Sequence, residues 1–173
     1  LGYDRHPAVH HLSGAIASGA LLAIVGPNGG GKSTLLKAIA GLITPLEGRV
    51  SVGAARHAVG YLPQSAEIDR SFPISVHEFV AMGAYAVTGL FGGLTPRTNV
   101  RIEHAIAAVG LSGLERRTIA ALSGGQMQRM LFARLLVQDA PIILIDEPFN
   151  AIDEATTADL LALVRRWHGE GRT

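Results

Sequence analysis

Cysteine is absent from this 173-residue sequence, and aromatic residues make up only 5% of it. Without cysteine the chain forms neither disulfides nor thiolate metal sites, which fits a reducing compartment. A strong charge of either sign is also lacking, because the formal net charge is +1 and no basic stripe stands out. These absences argue against a disulfide-stabilised secreted domain and against a nucleic-acid partner.

Aliphatic residues are abundant instead, and hydrophobic residues account for 48% of the sequence. This composition is typical of buried parallel strands covered by helices, and the length suggests one domain. The sequence begins with Leu1 rather than Met and ends at Thr173, shortly after a predicted helix. We therefore expect a fragment of a longer protein, cut at both ends.

A glycine-rich stretch lies between an apolar run at 21–25, predicted as a central strand, and a helix predicted from Lys32 to about Gly41. Strand, glycine-rich loop and helix are the context of a phosphate-binding loop, in which backbone N–H groups and the helix dipole hold an anion. Lys32 is placed to reach the outer phosphates and the Ser33 hydroxyl to bind Mg²⁺. The alternative is a glycine-rich turn that binds nothing. The predicted nucleotide-binding residues are Gly26, Pro27, Asn28, Gly29, Gly30, Gly31, Lys32, Ser33 and Thr34.

An apolar run at 142–145 ends in two acids, Asp146 and Glu147, followed by a proline. A strand here would deliver Asp146 to the sheet edge that carries the glycine-rich loop, where its carboxylate can hold Mg²⁺. Glu147 is the predicted general base for an attacking water. Two solvated carboxylates at a strand end are the alternative.

A second glycine-containing helix start lies at Ser123, Gly124, Gly125 and Gln126, before a strong helix predicted through Gln138. A serine hydroxyl and a helix N-terminus again form an anion-binding end, although a plain serine N-cap explains the same residues. The chain thus has two anion-binding ends and one acidic strand. A second copy of the chain would allow each end to complete the other's site.

The stretch 79–96 carries no charge, close to the length of a membrane-spanning helix, but its glycines and final proline favour a non-spanning segment. It is either local core or a docking patch, and composition alone favours core. Ser75 and Glu78 predict a capping box at the start of a helix over 75–87. Other predicted elements are strands at 48–53 and 59–62 and helices at 99–109 and 154–168.

Together these motifs resemble the ATPase subunit of ATP-binding cassette (ABC) transporters, on residues 26–34, Gln64 after an apolar strand, 122–126, 142–148 and Asp153. The resemblance implies an α/β P-loop NTPase fold. Its RecA-like, mostly parallel sheet core would cover 1–64 and 139–173 and include a small N-terminal antiparallel β part. A helical subdomain would cover about 65–138.

The resemblance also implies site roles, with ATP and Mg²⁺ as cofactors. Tyr3 matches the aromatic residue that stacks on adenine, and Gln64 the glutamine that touches Mg²⁺ and water and senses the membrane partner. Asp153 matches the aspartate that crosses the dimer interface. In a head-to-tail dimer, the γ-phosphate of ATP on the opposite subunit would be contacted by Ser123, Gly124 and Gly125.

Segments 72–76, 82–85, 89–92 and 146–149 are similar to zinc/manganese-type metal-ion importers. This implies a peripheral subunit at the cytoplasmic face of the membrane, with a permease docking near Gln64 and residues 72–94. An extracytoplasmic metal-binding protein would be an indirect partner. The resemblance favours docking over core for 72–94. The alternative function is a soluble ABC-type ATPase that does not take part in transport.

Two departures from the family pattern stand out. Residues 150–153 read Asn-Ala-Ile-Asp rather than the commoner Ser-Ala-Leu-Asp, which keeps the aspartate. The family's switch histidine would lie beyond Thr173, and His168 is not assigned that role. A solvated turn, rather than a metal site, is favoured for His6, His10 and His11.

Overall fold

The computed structural model describes residues 2–3, 6–7, 9–55, 58–89, 93–150 and 152–173, without the side chains of 2, 3, 6, 7, 86 and 87. The chain divides into two compact units. The first comprises Leu1–Tyr61, Ala140–Asp146 and Trp167–Thr173, and the second comprises Leu62–Asp139 and Glu147–Arg166. The assignment of a RecA-like core and a helical subdomain to 1–64 with 139–173 and to 65–138 stays a prediction.

Among the described residues, the first unit contains two small sheets, one whole helix and the last residues of another helix. Strands β1 (Gly2–Tyr3) and β2 (His6–Pro7) pair antiparallel at the N-terminus. Helix α1 (Lys32–Ile39) follows the glycine-rich loop and buries Thr34, Leu36 and Ala38. Strand β3 (Val59–Leu62) is the hydrogen-bonded neighbour of β4 (Ile142–Ile145), so the acidic strand predicted at 142–145 is present.

The strand predicted at 21–25 is absent from the described structure, where this run is irregular. Leu21, Leu22 and Val25 are 60%, 59% and 88% exposed, so the run is not a buried central strand. A strand requires a neighbour that pairs with its N–H and C=O groups, and the described residues place no strand beside this run. The strand predicted at 48–53 is irregular for the same reason.

The start of β4 is held by Thr173. The Ile143 amide donates to the Thr173 carbonyl at 2.8 Å, and the Thr173 amide donates to the Pro141 carbonyl at 3.0 Å. The Thr173 hydroxyl accepts a 2.8 Å bond from the Gly19 amide. These bonds fix the strand that carries Asp146 within the first unit.

The second unit is helical. Its elements are α2 (Val76–Ala81), a 3₁₀ turn (Met82–Ala84), α3 (Tyr85–Thr88), α4 (Pro96–Ala108), α5 (Gly124–Gln138) and most of α6 (Glu154–Gly169). Helix α5 packs against α2, α4 and the 3₁₀ turn. Because eight of its fifteen residues are buried, α5 is the centre of this unit.

The capping box predicted for α2 is confirmed. The Ser75 hydroxyl accepts from the Glu78 amide at 3.2 Å, and the Glu78 carboxylate accepts from the Ser75 amide at 2.7 Å. Hydrogen bonds from the Ser75 hydroxyl and amide lower the pKa of Glu78. The bonds satisfy backbone donors that a helix start leaves without intrahelical partners.

The single helix predicted over 75–87 is wrong, since the 3₁₀ turn separates α2 from α3. Gly83 lies in this turn, and a Cβ atom there would collide with the backbone carbonyl oxygen of Arg134 on α5. Because Gly83 has no side chain, the backbone of the turn comes into close contact with α5. None of the helices in the described ranges is both long enough and apolar enough to cross a membrane.

Candidate nucleotide and signature sites

The glycine-rich loop has the backbone of an anion cradle. Gly29 and Gly31 have φ of 79° and 82°, in the left-handed region that favours glycine. The Gly30 amide donates to the Pro27 carbonyl at 3.1 Å, which closes a turn before α1 begins. Alternation of this kind turns successive N–H groups toward one side, where an anion can be held. Gly31 is the N-cap of α1 and offers no side-chain cap.

The ammonium group of Lys32 lies over its own loop. Its Nζ donates to the carbonyls of Gly26 and Pro27 at 3.1 and 2.9 Å. Both bonds are exposed, so exchanging them for stronger charge-assisted bonds to phosphate oxygens desolvates little. The predicted phosphate ligand is therefore present in the loop that would bind the phosphate.

Asp146 is a buried carboxylate in the same unit as this loop, with 2% exposure. The Tyr61 hydroxyl on β3 donates to Asp146 Oδ2 at 3.3 Å, which is long for a bond between oxygen atoms. A buried carboxylate with such a weak hydrogen bond is suited to a cation, and Mg²⁺ prefers carboxylate and hydroxyl oxygens. Asp146 and the Ser33 hydroxyl thus fit the chemistry of a Mg²⁺ site.

The second helix start, at 123–125 in the second unit and named here the signature turn, is capped by its own side chains. The Gln126 amide donates to Ser123 Oγ at 3.2 Å, and the Ser123 amide donates to Gln126 Oε1 at 3.0 Å. The serine N-cap that the sequence offered as an alternative to an anion-binding end is therefore present. The two are compatible, since a hydroxyl that accepts one hydrogen bond can still donate its own proton.

Glu147 has φ of 44°, which is unusual for a residue with a side chain. Its Oε2 accepts a 2.7 Å hydrogen bond from Nδ2 of Asn150. The predicted general base is therefore held by the residue at which this chain departs from the commoner serine. Strained backbone at such a position is typical of functional sites.

Asp153 caps the start of α6. Its Oδ1 accepts from the Thr156 amide and its Oδ2 from the Thr156 hydroxyl, both at 2.8 Å. The bonds from the Thr156 amide and hydroxyl lower the pKa of Asp153. A Cβ atom on Gly125 would lie 3.5 Å from Asp153 Oδ2. The predicted interface aspartate thus lies beside the predicted signature glycines in one chain.

Gln64 lies directly before a short 3₁₀ turn (Ser65–Glu67), and its carbonyl accepts from the Glu67 amide at 3.0 Å. Beyond this turn, Arg70 Nη1 donates to the Leu122 carbonyl at 3.2 Å. Leu122 directly precedes Ser123, so the segment after Gln64 is joined to the signature turn within the second unit.

The segment 72–94 is core on one side and exposed on the other. Val76, Phe79, Val80, Ala81 and Ala84 are buried. Exposed apolar side chains include Phe72, Tyr85 and Leu94, at 57%, 47% and 39%. Both predicted roles therefore have residues available to them, and residues 90–92 lie outside the described part of the chain.

Of the remaining predicted residues, Tyr3 pairs with His6 in the N-terminal hairpin, and its side chain lies outside what the structure describes. The rings of His10 and His11 stack at 6.2 Å. The residues that the structure describes contain no His, Cys, Asp and Glu cluster able to hold a metal ion.

Three contributors, Tyr61, Thr156 and Arg129, are not among the residues predicted from the sequence. Tyr61 gave no signal, because one tyrosine in an apolar strand looks like core. Thr156 had an indirect signal, since an aspartate directly before a helix is an N-cap that accepts from the amide two or three positions into the helix. Arg129 has a structural ionic role, because its guanidinium is bonded to Thr156 and Asp159 at 3.2 and 2.8 Å.

The family model, the sequence relatives and the solved structures that this chain resembles all indicate the same family. The profile described as ABC transporter matches residues 9–150. The zinc transport system ATP-binding protein TroB of Treponema pallidum is 40% identical over 100% of this chain and 67% of its own length. The manganese transport system ATP-binding protein MntB of Listeria monocytogenes is 38% identical over 100% of this chain and 74% of its own length.

A solved dimeric ATP-binding cassette, described in a post-hydrolysis state with ADP and Pi, has the same fold. Its TM-score is 0.84 at 26% identity, over 96% of this chain and 77% of its own. The predicted fold class, a P-loop NTPase of the ABC type, is confirmed. The chain spans about two thirds of the length of its zinc-system relative.

Proposed function

Since this chain belongs to the ABC transporter family, we propose that it binds and hydrolyses ATP to drive a membrane importer of zinc or manganese. The relatives named above are ATP-binding proteins of zinc and manganese transport systems. The observation that carries the ATPase part is the first unit, which holds both the anion-cradling loop and the buried carboxylate of Asp146.

ATP would bind through its phosphates to the N–H groups of the loop at 26–33 and to the ammonium group of Lys32. The residues that would hold Mg²⁺ are Ser33, Asp146 and Gln64, all of which offer oxygen ligands. When bound, Mg²⁺ neutralises charge on the β- and γ-phosphate oxygens. Tyr3 would stack on the adenine ring.

Glu147 would act as the general base. Its carboxylate accepts a proton from water as the water oxygen bonds to the γ-phosphorus, and the bond from that phosphorus to the β–γ bridging oxygen breaks, giving ADP and phosphate. Asn150, which donates to Glu147 Oε2 at 2.7 Å, would restrain the carboxylate until water is in position.

A second copy of the chain would complete each site. In this arrangement Ser123, Gly124 and Gly125 of one copy contact the γ-phosphate bound to the other, and Asp153 crosses the interface. The exposed hydroxyl side of the capped turn is compatible with this contact, because capping uses only an acceptor lone pair of Ser123.

Coupling to transport would occur at the cytoplasmic face of the membrane, where a permease docks near Gln64 and on the exposed part of 72–94. The exposed side chains of Phe72 and Tyr85 supply apolar contact area for such a partner. The extracytoplasmic metal-binding protein would act through the permease and not touch this chain.

The Glu147→Gln variant tests the ATPase part. It should bind Mg-ATP, hydrolyse it at least about 100-fold more slowly, and accumulate as an ATP-dependent dimer, because a general base contributes about 10²–10⁴-fold. Size-exclusion chromatography with light scattering and a phosphate-release assay give the two readouts. Glu103→Gln on α4 is the control and should behave like the parent. A Glu147→Gln protein that still releases phosphate at the parent rate would overturn the assignment.

Uptake of radiolabelled zinc and manganese by cells that carry Lys32→Ala tests the transport part. We expect import of one of the two metals to stop. Undiminished import of both, together with intact ATPase activity of the parent protein, would support an ABC ATPase outside transport.

A further inference from the structure

Arg129 on α5 makes a three-way connection within the second unit. Its Nη1 donates to the Val109 carbonyl, just past the end of α4, at 3.0 Å. Its Nη2 donates to Thr156 Oγ1 at 3.2 Å and to Asp159 Oδ2 at 2.8 Å, both on α6. One guanidinium therefore ties α5 to the end of α4 and to the first two turns of α6.

The connection continues from Thr156 to Asp153. Thr156 is 5% exposed, and its hydroxyl accepts from Arg129 while donating to Asp153 Oδ2 at 2.8 Å. A hydroxyl that accepts and donates at once has its rotor fixed. The orientation of the Asp153 carboxylate is thus set partly by a residue on α5.

The signature turn adjoins the same atoms. A Cβ atom on Gly125 would lie 3.4 Å from Thr156 Oγ1 and 3.5 Å from Asp153 Oδ2, so the backbone at Gly125 packs directly against this pair. Arg129 lies about one helical turn after Gly125 on α5. The turn at 123–125 and the cap of α6 are therefore joined both by packing and by the Arg129 hydrogen bonds.

We propose that Arg129 is a positioning residue that holds the signature turn at 123–125 and Asp153 as one rigid surface facing the second copy of the chain. This rests on the proposed function, in which both elements contact the partner copy. The surface forms only while Thr156 is oriented by Arg129. Without the guanidinium, the turn and the aspartate move independently, and the dimer loses a preorganised face.

The network is suited to this role by its partial burial. The Arg129 side chain is 18% exposed, whereas its partner Asp159 is 64% exposed. An ion pair with so exposed a partner contributes little by itself. The hydrogen bonds to the Val109 carbonyl and the buried Thr156 hydroxyl give the guanidinium its geometry, and lysine cannot reproduce this fork.

The test compares Arg129→Gln with Arg101→Gln in the Glu147→Gln background. Arg101 is a matched control, because its Nη2 donates to the Val137 carbonyl at 3.0 Å near the other end of α5. We expect Arg129→Gln to raise the protein concentration at half-dimerisation in Mg-ATP about tenfold and Arg101→Gln to leave it unchanged. Binding of a fluorescent ATP analogue to the monomer should be the same in both.

Hydrogen–deuterium exchange of the nucleotide-free protein gives a second readout that requires no dimer. In Arg129→Gln, amides at 124–127 and at 154–157 should both exchange faster, and in Arg101→Gln neither should. Thr156→Val keeps the side-chain volume and the other two Arg129 bonds. It should make the amides at 154–157 exchange faster and weaken dimerisation, as Arg129→Gln does. It covers the case in which Arg129→Gln fails to fold.

These experiments distinguish failure of the proposed dimer from failure of the positioning role of Arg129. If Glu147→Gln itself binds ATP but never dimerises, the proposed dimer is wrong. The exchange data then decide by themselves whether Arg129 holds 124–127 and 154–157 together. If Glu147→Gln dimerises and both Arg129→Gln and Thr156→Val dimerise as well as Arg101→Gln, Arg129 is not a positioning residue. Dimerisation restored fully by Arg129→Lys would also overturn the proposal.

Discussion

Helices α1 and α5 both begin beside glycines and both present the positive end of a dipole, but their first turns are completed differently. The N-cap of α1 is Gly31, which has no side chain to accept the first amides. The N-cap of α5 is Ser123, which forms a full capping box with Gln126. The first backbone amides of α1 are left for a phosphate to accept, whereas the start of α5 is capped by its own side chains.

The difference supports the proposal that the first unit binds nucleotide and that the second contacts nucleotide bound to a partner copy. At α1, left-handed glycines and a nearby lysine favour an anion that remains bound. At α5, the capped turn is already stable and offers a hydroxyl proton and a surface. A phosphate presented by a partner could bind there and leave without unfolding the helix start.

Lys32→Ala should have the largest effect of the variants that follow, and it acts at the start of α1. We expect ATP affinity to fall about 100-fold, because charge-assisted hydrogen bonds contribute about 1.5–3 kcal/mol. Titration with a fluorescent ATP analogue measures this, and Lys37→Ala in the last turn of α1 is the control. Equal affinity in Lys32→Ala and the parent would rule out the phosphate-binding role of the loop.

Alanine at the two helix-start glycines should have opposite effects on stability. Gly31→Ala should lower the free energy of unfolding by about 1–2 kcal/mol, because φ of 82° is unfavourable for a residue with Cβ. Gly125→Ala should raise it by about 0.5 kcal/mol through helix propensity, since the added Cβ meets ordinary contacts at 3.4 Å or more. Urea denaturation of the nucleotide-free protein measures both. Two changes of the same sign would contradict the structural difference.

Acid should weaken the Asp153 cap of α6, which adjoins the start of α5, and this is the smallest of the expected effects. Hydrogen bonds from Thr156 lower the pKa of Asp153 in the folded protein. Its contribution is therefore present above the unfolded-state pKa of about 3.9 and is lost as pH falls through the lowered folded value. Melting temperatures between pH 5 and about 3 should fall less steeply in Asp153→Asn, which keeps a capping oxygen but does not titrate. Parallel curves for the two proteins would show that this carboxylate is not involved.

The helices could be predicted from the sequence because their signals are local. Ser75, Ser123 and Asp146 lie in short patterns whose meaning depends on few neighbours, and the structure places them at helix caps and a strand end. The run at 21–25 was predicted wrongly because a strand depends on a partner far away in the sequence. The bonds of Arg129 escaped prediction for a related reason, since they join residues 20 to 30 positions apart.

Gly83 has a mechanical consequence. Because its backbone contacts the Arg134 carbonyl of α5 directly, no side-chain rotamer lies between the 3₁₀ turn and the helix to absorb a displacement. A load applied at the exposed Tyr85 would pass through backbone atoms to α5 and along it for about 15 Å to the signature turn. The 3₁₀ turn and α5 would therefore move together. Gly83→Ala would loosen this contact, because its Cβ atom would collide with the Arg134 carbonyl.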